Sequence, residues 1–287
     1  MYGWAEGPDC ERRTSCLVGR DDPALATVAT MSEPRVVHVD VADEIATITL
    51  DSQHNRNALS RQLLTELHHA LDDAESAEVR AVVLTHAGPA FCAGADLKER
   101  SGQGSTPSDS GPFVQILERL MDTPRPTIAA VKGAVRAGGI GLMASCDLVV
   151  VDAATTFALT EVRIGVAPAI ISVPILRRVA PSRIAAAMLT GEQFDATEAR
   201  SIGLVTHVAD DVDNVDETVA ELVRGIRAGA PRAVAETKRL LHTVATMERP
   251  AAFEAMAALS NEMFNSDDAA EGMAAFVEKR RPRWAVP

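Results

Sequence analysis

The chain has 287 residues and a mass of 30.4 kDa, enough for one large domain or two small ones with a proper core. Its composition is that of an ordinary globular protein, 47% hydrophobic and 24% charged, and no apolar run is long enough for a bilayer. With 28 Lys and Arg against 40 Asp and Glu, the formal net charge is −12, which argues against nucleic acid or an anionic membrane as partner.

Residues 1–30 show neither helical nor strand periodicity and lack the apolar core of a signal peptide. They are expected to be a disordered tail, or the product of a start codon upstream of Met31. The four cysteines, Cys10, Cys16, Cys92 and Cys146, have no metal-type spacing. A Cys10–Cys16 disulfide can be drawn, but without a secretory segment reduced thiols and a cytoplasmic location are expected.

From Val36, "VVHVDVADEIATITLD" alternates β-branched residues around a turn at Ala42–Glu44 and predicts a hairpin. Leu63, Leu64, Leu67 and Leu71 then recur at helical spacing behind Ser60, a candidate N-cap. Residues 79–86 predict a buried strand, followed by the glycine-containing loop "GPAFCAGADLKER". Residues 102–112 have the composition of a flexible linker. An amphipathic helix over "FVQILERLMD" and a buried strand over 126–133 come next, then a short helix and the strand "DLVVVD". Strands alternating with helices predict α/β layering. Beyond about residue 210 the strands stop and the pattern is helical, with Asp268 and Glu271 spaced as a capping box on the last helix. Residues 31–210 are therefore expected to form the core and 211–287 a helical region that folds back or packs on another subunit.

Two segments can offer backbone N–H groups to an anion. One is "AFCAGADLKE" (90–99); the other is "VKGAVRAGGIGL" (131–142), with glycines at a helix entrance. Tight turns and close packing account for either segment more readily than a ligand does. The histidines His54, His68, His69 and His86 form no metal-ligand spacing, and no metal site is expected. Cys92 and Cys146 lie among small or apolar residues, as packing thiols do. Asp147, just after the helix, is expected to tie down backbone N–H groups.

Taken together, "FCAGADLKE", "AAVKGAVRAGGIGLMASCDLVVV", "TTFALTEVRIGVAP", "MLTGEQFDATEARSIGLV" and "GMAAFVEKRRPRW" resemble the enoyl-CoA hydratase/isomerase (crotonase) superfamily, in order and from about Val36 to Trp284. The resemblance implies a spiral of ββα units with C-terminal helices that build a homotrimer or a dimer of trimers. It implies an acyl-CoA thioester as substrate, no cofactor beyond the coenzyme A that the substrate carries, and chemistry of the kind used in fatty-acid β-oxidation. On motif matching, the N–H groups of Ala95 and Gly138 would bind the thioester oxygen, where fixed donors stabilise an enolate. The loop 54–60, including Arg56 and Ala58, and the segment Ala93, Asp96, Leu97 and Lys98 would border adenine and pantetheine. Gly139 would give clearance beside the oxyanion donor, and Gly141 would also border the substrate. Lys279, with Arg280 or Arg283, could approach the phosphates; a solvated helix terminus explains the same charges.

The resemblance also locates the acids. Typical hydratases of the family hold the attacking water with two glutamates about twenty residues apart. Here Gly141, between Ile140 and Leu142, stands at the first position, and Glu161 matches the second. Apolar surroundings would raise the Glu161 pKa and suit it to proton transfer, unless Arg163 pairs with it. One carboxylate is enough for Δ3,Δ2-enoyl-CoA isomerisation. It is enough for hydration if another group, such as Thr160 or Ser172, positions the water. "TEVRIGVAPAIIS" is similar to one-glutamate hydratases of the methylglutaconyl-CoA type, which favours syn hydration of a 2-enoyl-CoA over isomerisation. A dienoyl-CoA isomerase is disfavoured, because Val166-Ala167-Pro168-Ala169 offers no further acid. A homologue that only binds acyl-CoA is the remaining alternative. Ile140, Leu142, Ile170 and Ile171 would line an apolar acyl pocket.

Overall fold

A computed structural model describes residues 34–101 and 110–285; the expected tail, with Cys10 and Cys16, lies outside them. The first elements are β1 (Val37–Ala42) and β2 (Ile45–Leu50), paired antiparallel with Ala42 opposite Ile45. Asp43 and Glu44 make the two-residue turn with φ of 50° and 63°, the handedness that matches the twist of the strands it joins. Ala46, Ile48 and Leu50 alternate inward along β2. In α1 (Arg61–Ser76) the Ser60 hydroxyl accepts the Leu63 N–H at 3.2 Å, and Leu63, Leu67, Ala70, Leu71 and Ala74 form the buried stripe.

From there the chain winds as a spiral. The first turn is β3 (Ala81–His86), β4 (Ala90–Cys92), α2 (Leu97–Ser101) and α3 (Gly111–Asp122). The second is β5 (Thr127–Val131), β6 (Ala134–Arg136) and α4 (Gly138–Ala144). The third is β7 (Leu148–Asp152), β8 (Thr156–Ala158), a 3-10 turn over Thr160–Ile164, α5 (Ala169–Arg178) and α6 (Pro181–Thr190). β9 (Gln193–Asp195), α7 (Ala196–Ser201) and β10 (His207–Ala209) complete it.

In each turn the first strand enters a six-stranded sheet, ordered β1-β2-β3-β5-β7-β10, and the second enters a four-stranded sheet, ordered β4-β6-β8-β9. All pairings are parallel except β1 with β2 and β8 with β9. The main core lies between the sheets and α1, α3 and α4. Val83, Ile128, Ala130 and Val150 face the other way, onto Val215 and Val219 of α8 (Val212–Ala228). That two-sided burial is why β3, β5 and β7 are continuous apolar runs rather than alternating ones. The ββα spiral is the crotonase-like architecture.

The remaining chain is helical: α9 (Pro231–Thr243), α10 (Arg249–Phe264) and α11 (Asp267–Glu278). Asp147 ties α9 to the core. Its Oδ2 accepts the Thr127 N–H at 2.7 Å and pairs with Lys238 Nζ at 2.9 Å, while Oδ1 meets His242 Nε2 at 3.2 Å. Lys238, 4% exposed, also donates to the carbonyls of Leu120 and Arg125.

Two local expectations change. Gly111 and Pro112, assigned to the linker, begin α3; proline is tolerated in a first turn because its missing N–H would be unpaired there. Residues 102–109 lie outside the described residues. The cap of α11 is Ser266, whose hydroxyl accepts the Ala269 N–H at 3.2 Å. Asp268 and Glu271 instead pair with Arg283 and Arg280.

Candidate active site

Three neighbouring parallel strands of the smaller sheet, β4, β6 and β8, end on the same edge. Parallel strands place the residues after their carboxyl ends side by side, where open α/β sheets characteristically bind ligands. Ala95 lies three residues past β4, Gly138 two past β6 and Glu161 three past β8. All three line one cavity of about 390 Å³.

The loop after β4 is shaped by Gly94 (φ 88°), where an added Cβ would lie 2.8 Å from the Ala137 Cβ and 3.5 Å from Gly138 N. The loop after β4 and the start of α4 therefore touch, which only glycine permits. Leu59 bridges to Ala95 as an isolated parallel pair, its N–H donating to Gly94 O at 2.7 Å. Gly138 is the first residue of α4, a position whose N–H has no intrahelical acceptor. Ala137 before it sits at φ 47°, ψ −120°, a strained conformation for a residue with a Cβ. The Ala137 N–H donates to Ala158 O at 3.0 Å, which fixes this strained corner to the end of β8.

Glu161 is half-buried in the 3-10 turn, and its Oε2 is shielded from solvent with no hydrogen-bond partner among the described residues. Burial pushes its carboxyl above the ordinary glutamate pKa of 4.5. Arg163 does not neutralise it: the guanidinium turns to Thr190 O, with Nε at 2.9 Å. The rest of the cavity wall is largely apolar, with Leu59, Leu64, Phe113, Ile164, Ile170 and Ile171 contributing. Thr160 is on the wall; the Ser172 hydroxyl is not, and donates to Ala169 O at 2.6 Å. The cavity thus combines the backbone of Ala95 and Gly138, one carboxylate inclined to hold a proton, and apolar surface.

Ala93 and Leu97 share the cavity wall. Beside them the 54–58 loop is tied to the 93–96 loop, with Ala93 N–H donating to Arg56 O at 3.0 Å and Asn55 Nδ2 to Asp96 Oδ2 at 3.0 Å. Asp96 also accepts the Lys98 N–H at 3.0 Å. Burial pushes its carboxyl up, but these hydrogen bonds outweigh it and hold the pKa low. Arg56 and Lys98 are exposed and Ala58 is buried. Asn57 anchors the loop, accepting the Ser52 N–H at 2.6 Å and donating to the Ala87 and Ala90 carbonyls.

Several expectations are corrected. Ile140 and Leu142 are fully buried in the core behind the cavity and do not line it; Ile170 and Ile171 do. Gly139 and Gly141 lie behind the wall as well. A Cβ on Gly139 would meet the Cys92 Cβ at 2.7 Å, and one on Gly141 would meet Ile171 Cγ2 at 2.3 Å, so both glycines serve close packing. Arg280 and Arg283 are engaged by acids of their own helix region. Lys279 caps α11 at φ 53°, exposed and away from the cavity wall. Cys92 and Cys146 are buried thiols pushed up to about 12 by burial, too inert for a nucleophile. Sequence reasoning missed Leu59, Leu64, Phe113 and the strained Ala137. The first three carry only the general signal of apolar residues at helix and loop positions, and nothing in an alanine announces a positive φ.

The enoyl-CoA hydratase/isomerase family model matches residues 40–286. A Thermus thermophilus protein provisionally named an enoyl-CoA hydratase is 38% identical over 247 residues, 84% of this chain and 97% of its own. Methylmalonyl-CoA decarboxylase of Escherichia coli is 30% identical, over 86% of this chain and 97% of its own. Among solved structures, an enoyl-CoA hydratase of Mycobacterium smegmatis superposes with a TM-score of 0.81 at 31% identity, covering 88% of this chain and 100% of its own.

Proposed function

The chain belongs to the enoyl-CoA hydratase/isomerase family, and on that premise we propose that it hydrates a 2-enoyl-CoA thioester with Glu161 as its one catalytic carboxylate. The observation that carries this reading is the unpaired, desolvated Glu161 opening into the same cavity as Ala95 and Gly138.

The N–H groups of Ala95 and Gly138 receive the thioester oxygen, drawing electron density from C3. The Glu161 carboxylate takes a proton from a water as its oxygen bonds to C3. The charge that moves to the thioester oxygen is held by the two N–H groups. Glu161 then returns that proton to C2 on the same face, so a water O–H bond breaks while C3–O and C2–H bonds form. The raised pKa brings the carboxyl closer to neutral pH, where accepting and releasing a proton are both accessible. α4 has only seven residues, so the stabilisation comes from individual N–H groups rather than from a long helix dipole. Of the two hydroxyls considered, Thr160 is the one on the cavity wall, and it holds the water. Arg56, Ala58, Ala93, Asp96, Leu97 and Lys98 border the adenine and pantetheine. The chain assembles as a homotrimer or dimer of trimers through its C-terminal helices.

A second reading, Δ3,Δ2-enoyl-CoA isomerisation, is favoured by the same single carboxylate in a largely apolar cavity, because moving one proton between C2 and C4 needs no water. Product mass spectrometry separates the two. With 2-enoyl and 3-enoyl CoA esters in ¹⁸O water, hydration adds one labelled oxygen to the product. A shifted double bond without label would establish isomerisation instead. Tight acyl-CoA binding with no turnover across the panel would leave only a binding protein.

A further inference from the structure

Two observations meet at Ile171, in the first turn of α5. It is 3% exposed, and it forms part of the cavity wall. It also packs against Gly141 of α4 so closely that a Cβ added at 141 would lie 2.3 Å from its Cγ2, 2.6 Å from its Cβ and 3.3 Å from its Cα. Real carbon atoms do not approach to the first two distances. Position 141 therefore accepts no side chain while Ile171 stands. Even alanine at 171 leaves a Cβ in the way, so the close approach of α4 and α5 closes the position as much as the identity of residue 141 does. A glutamate at 141 alone would have no route to the cavity.

Resting on the enoyl-CoA reading above, we propose that Ile171 is the specificity-determining residue of the acyl pocket: it fills the volume beside Gly141 and forms the wall against which a short, neutral, apolar acyl chain ends. The neighbouring wall residues Ile164, Ile170 and Pro168 give that chain apolar contact on its other sides. Shortening Ile171 to alanine deletes three carbons and opens a hollow beside Gly141. Pocket wall changes of one methylene alter substrate discrimination by about 10–200-fold.

The test compares kcat/KM for crotonyl-, 3-methylcrotonyl-, 2-hexenoyl- and 2-octenoyl-CoA between the unsubstituted protein and Ile171→Ala. The expected result is a rise of about tenfold or more in the ratio of longer or branched substrates to crotonyl-CoA. A ratio within twofold of the original overturns the assignment. A second measurement reads the contact itself. Gly141→Ala should lower the thermal midpoint most with Ile171 present, less with Ile171→Ala and least with Ile171→Gly. Equal losses in all three backgrounds overturn it too. If the unsubstituted protein turns over none of these esters, the enoyl-CoA reading fails. Calorimetric binding of the saturated acyl-CoA series then supplies the same chain-length ratio, and the Gly141 series stands independently.

Discussion

At the scale of single residues, the site depends on groups left deliberately unsatisfied. Glu161 has a carboxylate oxygen shielded from water with no partner among the described residues, and Gly138 begins a helix where its N–H has no intrahelical carbonyl to meet. Both states cost stability in an empty cavity and are relieved by a ligand that supplies the missing partners. Glu161→Gln keeps the shape and removes the proton carrier; it is expected to lower turnover of crotonyl-CoA by about 10²–10⁴-fold, followed by the loss of enoyl absorbance. Retained turnover would remove Glu161 from the mechanism. The pH dependence has a definite sign. The base is the ionised form and burial raises its pKa, so kcat/KM should fall as pH drops through a value above 4.5, and the Glu161→Gln variant should lack that limb in its residual rate. Gly141, by contrast, looked from the sequence like a missing acid beside the substrate. In the fold it is a packing contact, and Ile171 holds the space.

At the scale of elements, the positions of the catalytic candidates follow from the ends of three short strands, while α9 is held by a buried ionic clamp. Burial pushes the Asp147 carboxyl up, but His242, Lys238 and Thr127 together hold its pKa below the ordinary value. A depressed folded-state pKa means that the clamp's contribution is present above the unfolded pKa of about 3.9 and is lost as pH falls through the lower folded value. Removing one partner leaves the other charge buried and unpaired. Asp147→Asn or Lys238→Met is therefore expected to cost about 3–5 kcal/mol in denaturant unfolding. Replacing both by apolar residues should cost less than either single change. A loss below about 1 kcal/mol for Asp147→Asn would show that α9 is held by its apolar contacts instead.

At the scale of the molecule, the acidic chain encloses its core well but leaves large apolar side chains outside on the last helices. Phe253, Phe264 and Phe276 are 72%, 69% and 85% exposed, and Val277 lies beside Phe276. Scattered apolar side chains on a monomer surface are ordinary, but several aromatic residues concentrated on two successive helices suit burial against another copy. Light scattering is expected to give a mass of three or six chains, and Phe276→Glu should shift it toward the single chain. A monomeric unsubstituted protein would defeat the proposed assembly.

The sequence by itself determined the family, the order of the elements and the residues at which chemistry was to be sought. Alternation, helical periodicity and glycine-rich motifs are local and survive in one dimension. The hairpin, the Ser60 cap and the long buried strands β3, β5 and β7 were legible for that reason. β4, β6, β8 and β9 have three residues each, too short to show any period, so the smaller sheet and the edge that gathers Ala95, Gly138 and Glu161 came only from the tertiary structure. The same holds for the cavity wall. Ile140 and Ile171 are equally apolar on paper. Which of them faces a ligand and which is sealed in the core is decided by how two helices pack, and that contact joins residues thirty positions apart.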